Sequence, residues 1–215
     1  MSISIFDRDR GYDTYDEYDV TFFDDRILTT VTATPSVVNT WIWETERIHR
    51  RRLHNLVVAL EAEWSPNFRR GRNDNPIATL QLCVGRRCLI FQILHAPYIP
   101  NPLEDFLSDA DYTFVGVGVK NDAEKLDENY DLSVANTVDL RDLAAEKLSM
   151  EELRNKGLKG LAWEVLDLDV EKPINVTLSR WDNRWLSEDQ IQYACVDAFV
   201  SFEIGRTLNA GAYRY

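Results

Sequence analysis

The chain has little of what marks several protein classes. Its 215 residues include three cysteines, two methionines and three histidines. Cys83, Cys88 and Cys195 lie in apolar segments without CxxC spacing, so they indicate small core residues in a reducing compartment rather than a disulfide framework. No apolar run approaches the roughly 18 residues of a membrane span, and the first residues show no signal or transit pattern. We therefore expect a soluble, intracellular protein of the nucleus or cytoplasm, with no membrane partner.

Basic residues are also in short supply. There are 24 lysines and arginines against 36 acidic residues, a net charge of -12. Proteins that coat nucleic acid neutralise many phosphates, so this charge argues against binding by bulk electrostatics. Residues 1–25 hold eight acidic residues and two arginines, which is half of the acidic excess. Arginines cluster at 47–52 and 69–72, so a local basic rim and a solvated helix face are both open interpretations of the first cluster.

The chain divides into three parts by pattern. Residues 1–16 are polar, acidic and without apolar periodicity, which predicts a flexible acidic tail. Residues 17–54 predict an N-terminal extension: a hairpin with strands at 18–23 and 27–34, then a helix that Thr34 caps and Pro35 opens. Residues 55–215 form the third part. The 45% apolar fraction is ordinary for one globular core.

Short strands and helices alternate in the third part. Strands are expected at 56–62, 77–84 and 88–94 as a meander, then at 112–119 and 135–138. Helices are expected at 102–107, 122–129, 140–148 and 157–166. A last helix begins at the capping box Ser187-Glu-Asp-Gln190 and runs to about 208. The alternation predicts an α/β protein whose later strands are parallel and crossed over by helices.

Acidic residues are spaced to share faces of these elements. Glu61 and Glu63 are two apart in a strand, so both side chains project from one face at its end. Tyr193 and Asp197 are four apart in the last helix and lie one turn above the other. Asp122 follows two glycines where a strand passes into a helix, at the carboxyl edge of the sheet.

Four carboxylates that converge would repel one another and raise each other's pKa values. Divalent cations relieve that repulsion, and ligands made only of oxygen suit Mg²⁺ or Mn²⁺. Two such ions about 4 Å apart stabilise attacking and leaving oxygens in displacement at phosphorus. Each motif alone is common in solvated strand ends, turns and exposed helix faces. Their order and element context carry the combined signal.

These motifs resemble those of the DEDDy 3′-5′ exonucleases, which include the exonuclease domain of the Werner syndrome protein and ribonuclease D. The resemblance covers residues 56–208. It rests on Leu60-Glu61-Ala62-Glu63-Trp64, on Gly116-Val-Gly118-Val-Lys-Asn-Asp122 and on Tyr193-Ala194-Cys195-Val196-Asp197. The N-terminal hairpin and helix lie outside the common domain and look like those of small plant members of the Werner-like group.

The resemblance implies a ribonuclease-H-like fold, with a five-stranded mixed sheet flanked by helices, and a site for two Mg²⁺ or Mn²⁺ ions. It implies that Glu61, Glu63, Asp122 and Asp197 are metal ligands. Tyr193 would hold the attacking water, and Glu63 would position that water or the leaving 3′ oxygen. The implied substrates are single-stranded or recessed ends of DNA or RNA, and the products are nucleoside 5′-monophosphates.

The resemblance also suggests substrate contacts around the acidic residues. Trp64, Thr79 and Leu80 would form an apolar surface against the last base, with core packing as the equal alternative. Arg69 and Arg70, in the loop after the first strand of this part, would hold phosphates. Solvation alone is the alternative for both arginines.

Glu61 departs from the family, which has aspartate at this position. The added methylene moves the carboxylate about 1.3 Å outward, and misplacements near 1 Å can cost on the order of a hundredfold in rate. We expect an exonuclease with reduced activity. The alternatives are a catalytically inactive exonuclease fold that binds nucleic acid or a partner, and a scaffold whose N-terminal unit mediates self-association. The resemblance also suggests a homo-oligomer.

Overall fold

The structure, a computed structural model, describes residues 3–8, 14–67 and 75–212. Its centre is one eight-stranded sheet flanked by helices. The strands are β1 Ile3–Asp7, β2 Tyr15–Phe22, β3 Asp25–Thr32, β4 Val57–Glu63, β5 Thr79–Val84, β6 Arg87–Phe91, β7 Thr113–Gly116 and β8 Thr137–Asp139. The helices are α1 Pro35–His49, α2 Asn101–Ser108, α3 Val119–Tyr130, α4 Leu140–Leu148, α5 Leu158–Leu166, α6 Ile174–Thr177 and α7 Glu188–Thr207.

The strand order is β1-β2-β3-β6-β5-β4-β7-β8. Strands β4, β5 and β6 form the expected antiparallel meander, and β7 and β8 add in parallel beside β4. The mixed α/β sheet is therefore confirmed, but the expected count of five strands is wrong. The hairpin β2-β3 extends the same sheet, because β3 pairs in parallel with the edge of β6 from Leu28 opposite Arg87 to Thr32 opposite Phe91. Pairing satisfies main-chain groups that β6 would otherwise expose.

The flexible tail expected over residues 1–16 is also wrong where the structure describes it. Ile3–Asp7 is strand β1, antiparallel to β2, and residues 15 and 16 already belong to β2. Ile3 and Ile5 alternate inward and pack against the core, which gives this acidic segment an apolar face.

Helix α1 packs against β6 and α2. It begins with Pro35 as expected, and Val38, Trp41 and Ile42 are buried along one stripe. Thr34 is the N-cap residue, but its side chain makes no capping hydrogen bond. Ile48, near the end of the helix, is half exposed.

Helix α7 packs across β4, β5, β6 and β7 and is buried along most of its length. Its predicted capping box is confirmed. The backbone N–H of Gln190 donates to the Ser187 hydroxyl, and the backbone N–H of Ser187 donates to the side-chain oxygen of Gln190. The three cysteines are free and buried, as expected. Within the described ranges, no helix is long and apolar enough to cross a membrane.

Candidate active site

The end of β4 carries the paired glutamates. Glu61 lies opposite Gln81 and Glu63 opposite Thr79 in the antiparallel ladder with β5, so both carboxylates leave the same face of the sheet. The Ser201 hydroxyl, on α7, donates to Glu61 Oε1 at 2.5 Å. This contact fixes the longer glutamate side chain against the helix.

The third carboxylate comes from the turn between β7 and α3. A Cβ at Gly116 would lie 2.7 Å from the Leu60 carbonyl oxygen, so only glycine lets β7 approach β4 this closely. Gly118 then adopts a left-handed conformation, with φ of 78°, and its amide donates to Asp139 Oδ2 at 3.1 Å. Helix α3 begins at Val119, three residues earlier than predicted, which places Asp122 in its first turn.

The fourth carboxylate lies on α7. Tyr193, Asp197 and Ser201 follow one another at four-residue intervals and therefore share one face of the helix. That face meets β4, because Ser201 contacts Glu61. Asp197 and Tyr193 are both buried, and the Tyr193 ring packs near Trp181 with 6.0 Å between ring centroids.

Asp122 and Asp197 lie close enough to Glu61 and Glu63 to raise the pKa values of both glutamates. Burial first, and then the charges of Asp197 and Asp122, raise the pKa of Glu61 well above its ordinary value. Burial and Asp197 raise the pKa of Glu63 to about 8. Burial raises the pKa of Asp122 to about 7, and Lys125 opposes that shift. The structure thus brings together the four acidic residues that the sequence singled out.

A lysine that the sequence analysis missed lies within this cluster. Lys172 Nζ donates to Asp197 Oδ2 at 2.5 Å and lies 5.5 Å from the centre of the Tyr193 ring. Burial lowers the pKa of Lys172, but Asp197, Tyr193 and Glu61 outweigh it and leave that pKa above its ordinary value. Burial raises the pKa of Asp197, whereas Lys172 and a hydrogen bond from Tyr193 oppose the shift. The ammonium group is therefore a counter-charge to the carboxylates.

The four carboxylates are suitable metal ligands by residue type, but their present positions do not form a metal-binding geometry. Four desolvated carboxylates around one space suit a hard divalent cation. Nevertheless, over residues 3–8, 14–67 and 75–212, no group of three His, Cys, Asp or Glu side chains is arranged to hold a metal ion. Asp197 is bound to Lys172 and Glu61 to Ser201 instead. The residue types suit a divalent cation, but in this arrangement Asp197 and Glu61 each have another hydrogen-bond partner.

Of the predicted substrate-binding residues, some lie beside the cluster and others are buried in the core. Trp64 is partly buried next to the cluster, with Lys125 Nζ 4.6 Å from its ring centre. Thr79 and Leu80 are fully buried in β5 and present no surface to a substrate, so core packing describes them. Arg69 and Arg70 lie outside the described residues.

Ser201 could have been predicted from the sequence, whereas Lys172 could not. Ser201 continues the four-residue spacing from Tyr193 and Asp197, so helical periodicity alone would place it on the site face. Lys172 lies in a charged segment without periodicity between α5 and α6. No local pattern indicates that it turns inward.

Comparison with known proteins shows which family the chain belongs to. Residues 40–210 match the 3′-5′ exonuclease family. The chain belongs to that 3′-5′ exonuclease family. The resemblance drawn from the three acidic motifs is thereby confirmed at the level of the family.

Two curated exonucleases are identical to this chain at about a third of the aligned positions. A 3′-5′ exonuclease of Arabidopsis thaliana is 34% identical over 152 residues, which is 70% of this chain and 52% of that protein. The Mus musculus bifunctional 3′-5′ exonuclease/ATP-dependent helicase WRN is 33% identical over 164 residues, 76% of this chain and 12% of that protein. The chain therefore spans about half of the first relative and a small part of the second.

Similar solved structures confirm the ribonuclease-H-like fold. Escherichia coli RNase D matches with a TM-score of 0.64 and 18% identity, covering 84% of this chain and 44% of that one. Brucella melitensis NrnC matches with a TM-score of 0.59 and 19% identity over 72% of both chains. At these identities the likeness concerns the fold alone.

Proposed function

We propose that this protein is a divalent-metal-dependent 3′-5′ exonuclease that releases nucleoside 5′-monophosphates from ends of DNA or RNA. The observation that carries the proposal is the convergence of Glu61, Glu63, Asp122 and Asp197 beside Tyr193, in a chain of the exonuclease family. Membership of the family gives the reaction class. The convergence of these side chains gives this particular chain the means to perform it.

Two side chains have properties suited to handling the attacking water. Burial and the charge of Asp197 raise the pKa of Tyr193 to about 12, so its hydroxyl keeps its proton and can orient the water by hydrogen bonding. Glu63 projects from the same face of β4 as Glu61 and would position that water or the leaving 3′ oxygen. The water oxygen would form a bond to the phosphorus of the terminal phosphodiester while the bond from phosphorus to the 3′ oxygen breaks. The proton that the water loses would pass to solvent, and the leaving 3′ oxygen would take up a proton from solvent.

Glu61, Glu63, Asp122 and Asp197 would hold Mg²⁺ or Mn²⁺, taken up as two ions. When bound, such ions neutralise charge that develops on the phosphoryl oxygens. Asp197 would have to give up its contact with Lys172, and Glu61 its contact with Ser201, for both to become ligands. In the metal-free protein Lys172 supplies the compensating charge.

A matched pair of carboxylates on α7 provides the first test. Asp197→Asn removes a proposed ligand, whereas Glu203→Gln removes a carboxylate on the same helix that is paired with Arg206 at 2.6 Å, away from the cluster. A 5′-labelled single strand incubated with Mn²⁺ or Mg²⁺ should yield a ladder with wild type and Glu203→Gln. The ladder should disappear with chelator and fall at least about a hundredfold in Asp197→Asn. A ladder of equal intensity in Asp197→Asn would refute the assigned site.

Glu61 favours a second function, binding of nucleic acid without cleavage. Its carboxylate accepts a hydrogen bond from Ser201, and its side chain is one methylene longer than that of an aspartate. Binding of labelled strands without a ladder in either metal would support this alternative over the exonuclease.

Shortening the side chain tests whether Glu61 limits the rate. We expect Glu61→Asp to raise the rate about tenfold, because a misplacement near 1 Å is removed, and to cost about 1 kcal/mol of stability as the Ser201 hydrogen bond is lost. Single-turnover rates and chemical denaturation would measure the two effects. A rate that is unchanged or lower would show that the methylene does not limit activity.

A further inference from the structure

A second cavity opens along the same edge of the sheet as the acidic cluster. Its volume is about 360 Å³, and Gln92, His95, Arg184 and Trp185 line one side of it. The hairpin side contributes residues 14–16 and the end of β3. None of these residues belongs to the acidic cluster. The cavity is therefore a separate feature of the molecule.

The sheet register fixes the separation between the two sites. Thr32, Phe91, Leu80 and Ala62 are paired in sequence across β3, β6, β5 and β4, so they form one row. Three interstrand spacings of about 4.8 Å put Thr32 roughly 14 Å from Ala62, which lies between the two glutamates. That distance corresponds to about four stacked nucleotides at roughly 3.4 Å each.

One loop, residues 178–187, joins the two sites. At its centre the Asp182 carboxylate accepts a hydrogen bond from the Ser65 hydroxyl, two residues after Glu63. The Asp182 carbonyl lies 3.0 Å from His95 Nε2, and the Gln92 side chain donates to the Arg184 carbonyl at 2.9 Å. The loop backbone is thus held across the ends of β4 and β6, which leaves the side chains that follow free to face solvent.

Trp185 and Arg184 are exposed on this fixed backbone. Trp185 is 77% exposed, whereas Trp181 in the same loop is completely buried. An indole that buries so little area contributes little to folding. Arg184 is exposed as well, and within the described ranges its guanidinium makes no ion pair. Trp185 therefore presents an exposed aromatic face, and Arg184 presents a guanidinium group without an ion pair among the described residues, both at the cavity.

These two groups match the chemistry of a single-stranded nucleic acid. Aromatic faces stack on any base, and an arginine beside them binds the phosphate that follows. The Asp16 carboxylate lies on the hairpin side of the cavity. Repulsion from Asp16 would keep the phosphates on the Arg184 side and leave the base to the cavity.

We infer that the cavity bounded by Arg184, Trp185 and His95 is a binding subsite for the body of the substrate strand, about four nucleotides from the end being cleaved. The inference rests on the proposed function and extends it. The subsite is tolerant of base identity, and it raises affinity only for strands long enough to reach it.

The chain offers a matched control for the test. On α1, Arg47 lies over the ring of Trp43, 5.2 Å from its centroid, and Trp43 is 60% exposed. The double variant Arg184→Ala/Trp185→Ala and the control Arg47→Ala/Trp43→Ala each remove one exposed indole and one cation. Only the first pair lines the cavity.

Cleavage of a twelve-nucleotide single strand and of a dinucleotide should be measured with Mn²⁺ for the full chain and both variants. In Arg184→Ala/Trp185→Ala we expect KM for the long strand to rise about 10- to 100-fold, with kcat retained and with the dinucleotide unaffected. The control should match wild type on both substrates. An unchanged KM for the long strand, or an equal loss on the dinucleotide, would overturn the subsite.

Failure of the proposed function would be recognised separately. It would appear as no product from wild type in either metal. Fluorescence anisotropy of the labelled long strand with chelator present would then decide the subsite alone. Weaker binding by Arg184→Ala/Trp185→Ala than by the control supports it, and equal binding by both variants refutes it.

Discussion

At the scale of single residues, charge balance in the acidic cluster depends on Lys172. Its ammonium group contacts Asp197 and lowers the pKa of Glu63 against the effect of burial. A buried carboxylate without a partner is strongly unfavourable, so this lysine allows the cluster to exist before any ion binds. The same contact competes with any cation that needs Asp197.

Lys172→Met should therefore separate these two effects. With chelator present, we expect its melting temperature to fall by several degrees, since Asp197 loses its counter-charge. We expect Mn²⁺ to bind about tenfold more tightly, because the competing ammonium is gone. Thermal unfolding in chelator and calorimetric titration with Mn²⁺ measure the two quantities.

Lys159→Met is the control for this change. Lys159 is also paired with an aspartate, Asp169, at 2.9 Å, but that pair is exposed. Exposed pairs contribute little, so neither the melting temperature nor Mn²⁺ affinity should move. Weaker Mn²⁺ binding by Lys172→Met would contradict the competition described for this lysine.

The raised carboxyl pKa values predict how stability depends on pH. Glu63 has a pKa of about 8 in the folded protein against an ordinary value of 4.5, so the folded state binds its proton more tightly. The free energy of unfolding of the metal-free protein should then be greatest below about pH 4.5 for this group and decline through about pH 8. Each unit of difference between the folded and unfolded pKa values changes the free energy of unfolding by about 1.4 kcal/mol.

Glu63→Gln isolates this contribution. In chelator, we expect Glu63→Gln to be more stable than wild type at pH 8 by on the order of a few kcal/mol, and the difference to shrink toward pH 5. Glu203→Gln should track wild type at both values. A difference that instead grows as the pH falls would show that the Glu63 carboxyl is not destabilised by its surroundings.

At the scale of elements, the approach of β7 to β4 determines where Asp122 lies. Gly116 lies beside the Leu60 carbonyl, and its missing side chain also leaves room next to Glu61, whose Oε1 would be 3.4 Å from a Cβ there. The backbone cannot yield as a flexible side chain would. The pairing of these two strands thus depends on one hydrogen atom in place of a methyl group.

Gly116→Ala should destabilise the protein by about 2–3 kcal/mol, because its Cβ would collide with main chain and push β7 from β4. Activity should fall as well, since Asp122 follows in the next helix. Gly157→Ala is the comparison, as nothing lies within 4 Å of a Cβ at Gly157. Its effect on denaturant midpoints should stay below about 1 kcal/mol. Equal stability of the two variants would argue against close strand contact.

At the scale of the whole molecule, the sheet crosses the boundary that the sequence suggested near residue 55. Strand β3 pairs with β6, and α7 contacts β2 and β3 as well as β4. Val20, Phe22 and Ile27 of the hairpin are completely or almost completely buried in the common core. The assignment of residues 55–215 to an exonuclease domain, with residues 17–54 as an extension, stays a prediction, and the shared core opposes separate folding of the two parts.

A chain shortened to residues 55–215 should consequently lose more than about 5 kcal/mol, given roughly 1.5–3 kcal/mol for each large apolar side chain buried. It would also expose the edge of β6, which favours aggregation. Sedimentation and thermal unfolding against the full chain measure both effects. A soluble shortened chain with an unchanged melting temperature would restore the two-unit division.

Much of the fold and of the site could be predicted because local periodicity decides which face a residue occupies. The two-residue spacing of Glu61 and Glu63 and the four-residue spacing of Tyr193 and Asp197 determine shared faces in any strand or helix. The capping box at Ser187 likewise determined where α7 begins. Residues 3–7 were misjudged, because a short edge strand with only two inward isoleucines shows too little alternation.

The sequence by itself determined most of the elements of residues 17–208, the four acidic side chains and the family. Only the tertiary structure decided that Lys172 meets Asp197 across 25 positions and that Ser201 meets Glu61 across 140. It also decided that the hairpin joins β6 and that Trp185 faces a cavity. Spacing within one element is fixed by backbone geometry, whereas contacts between distant segments depend on the path of the loops and on which surfaces pack together.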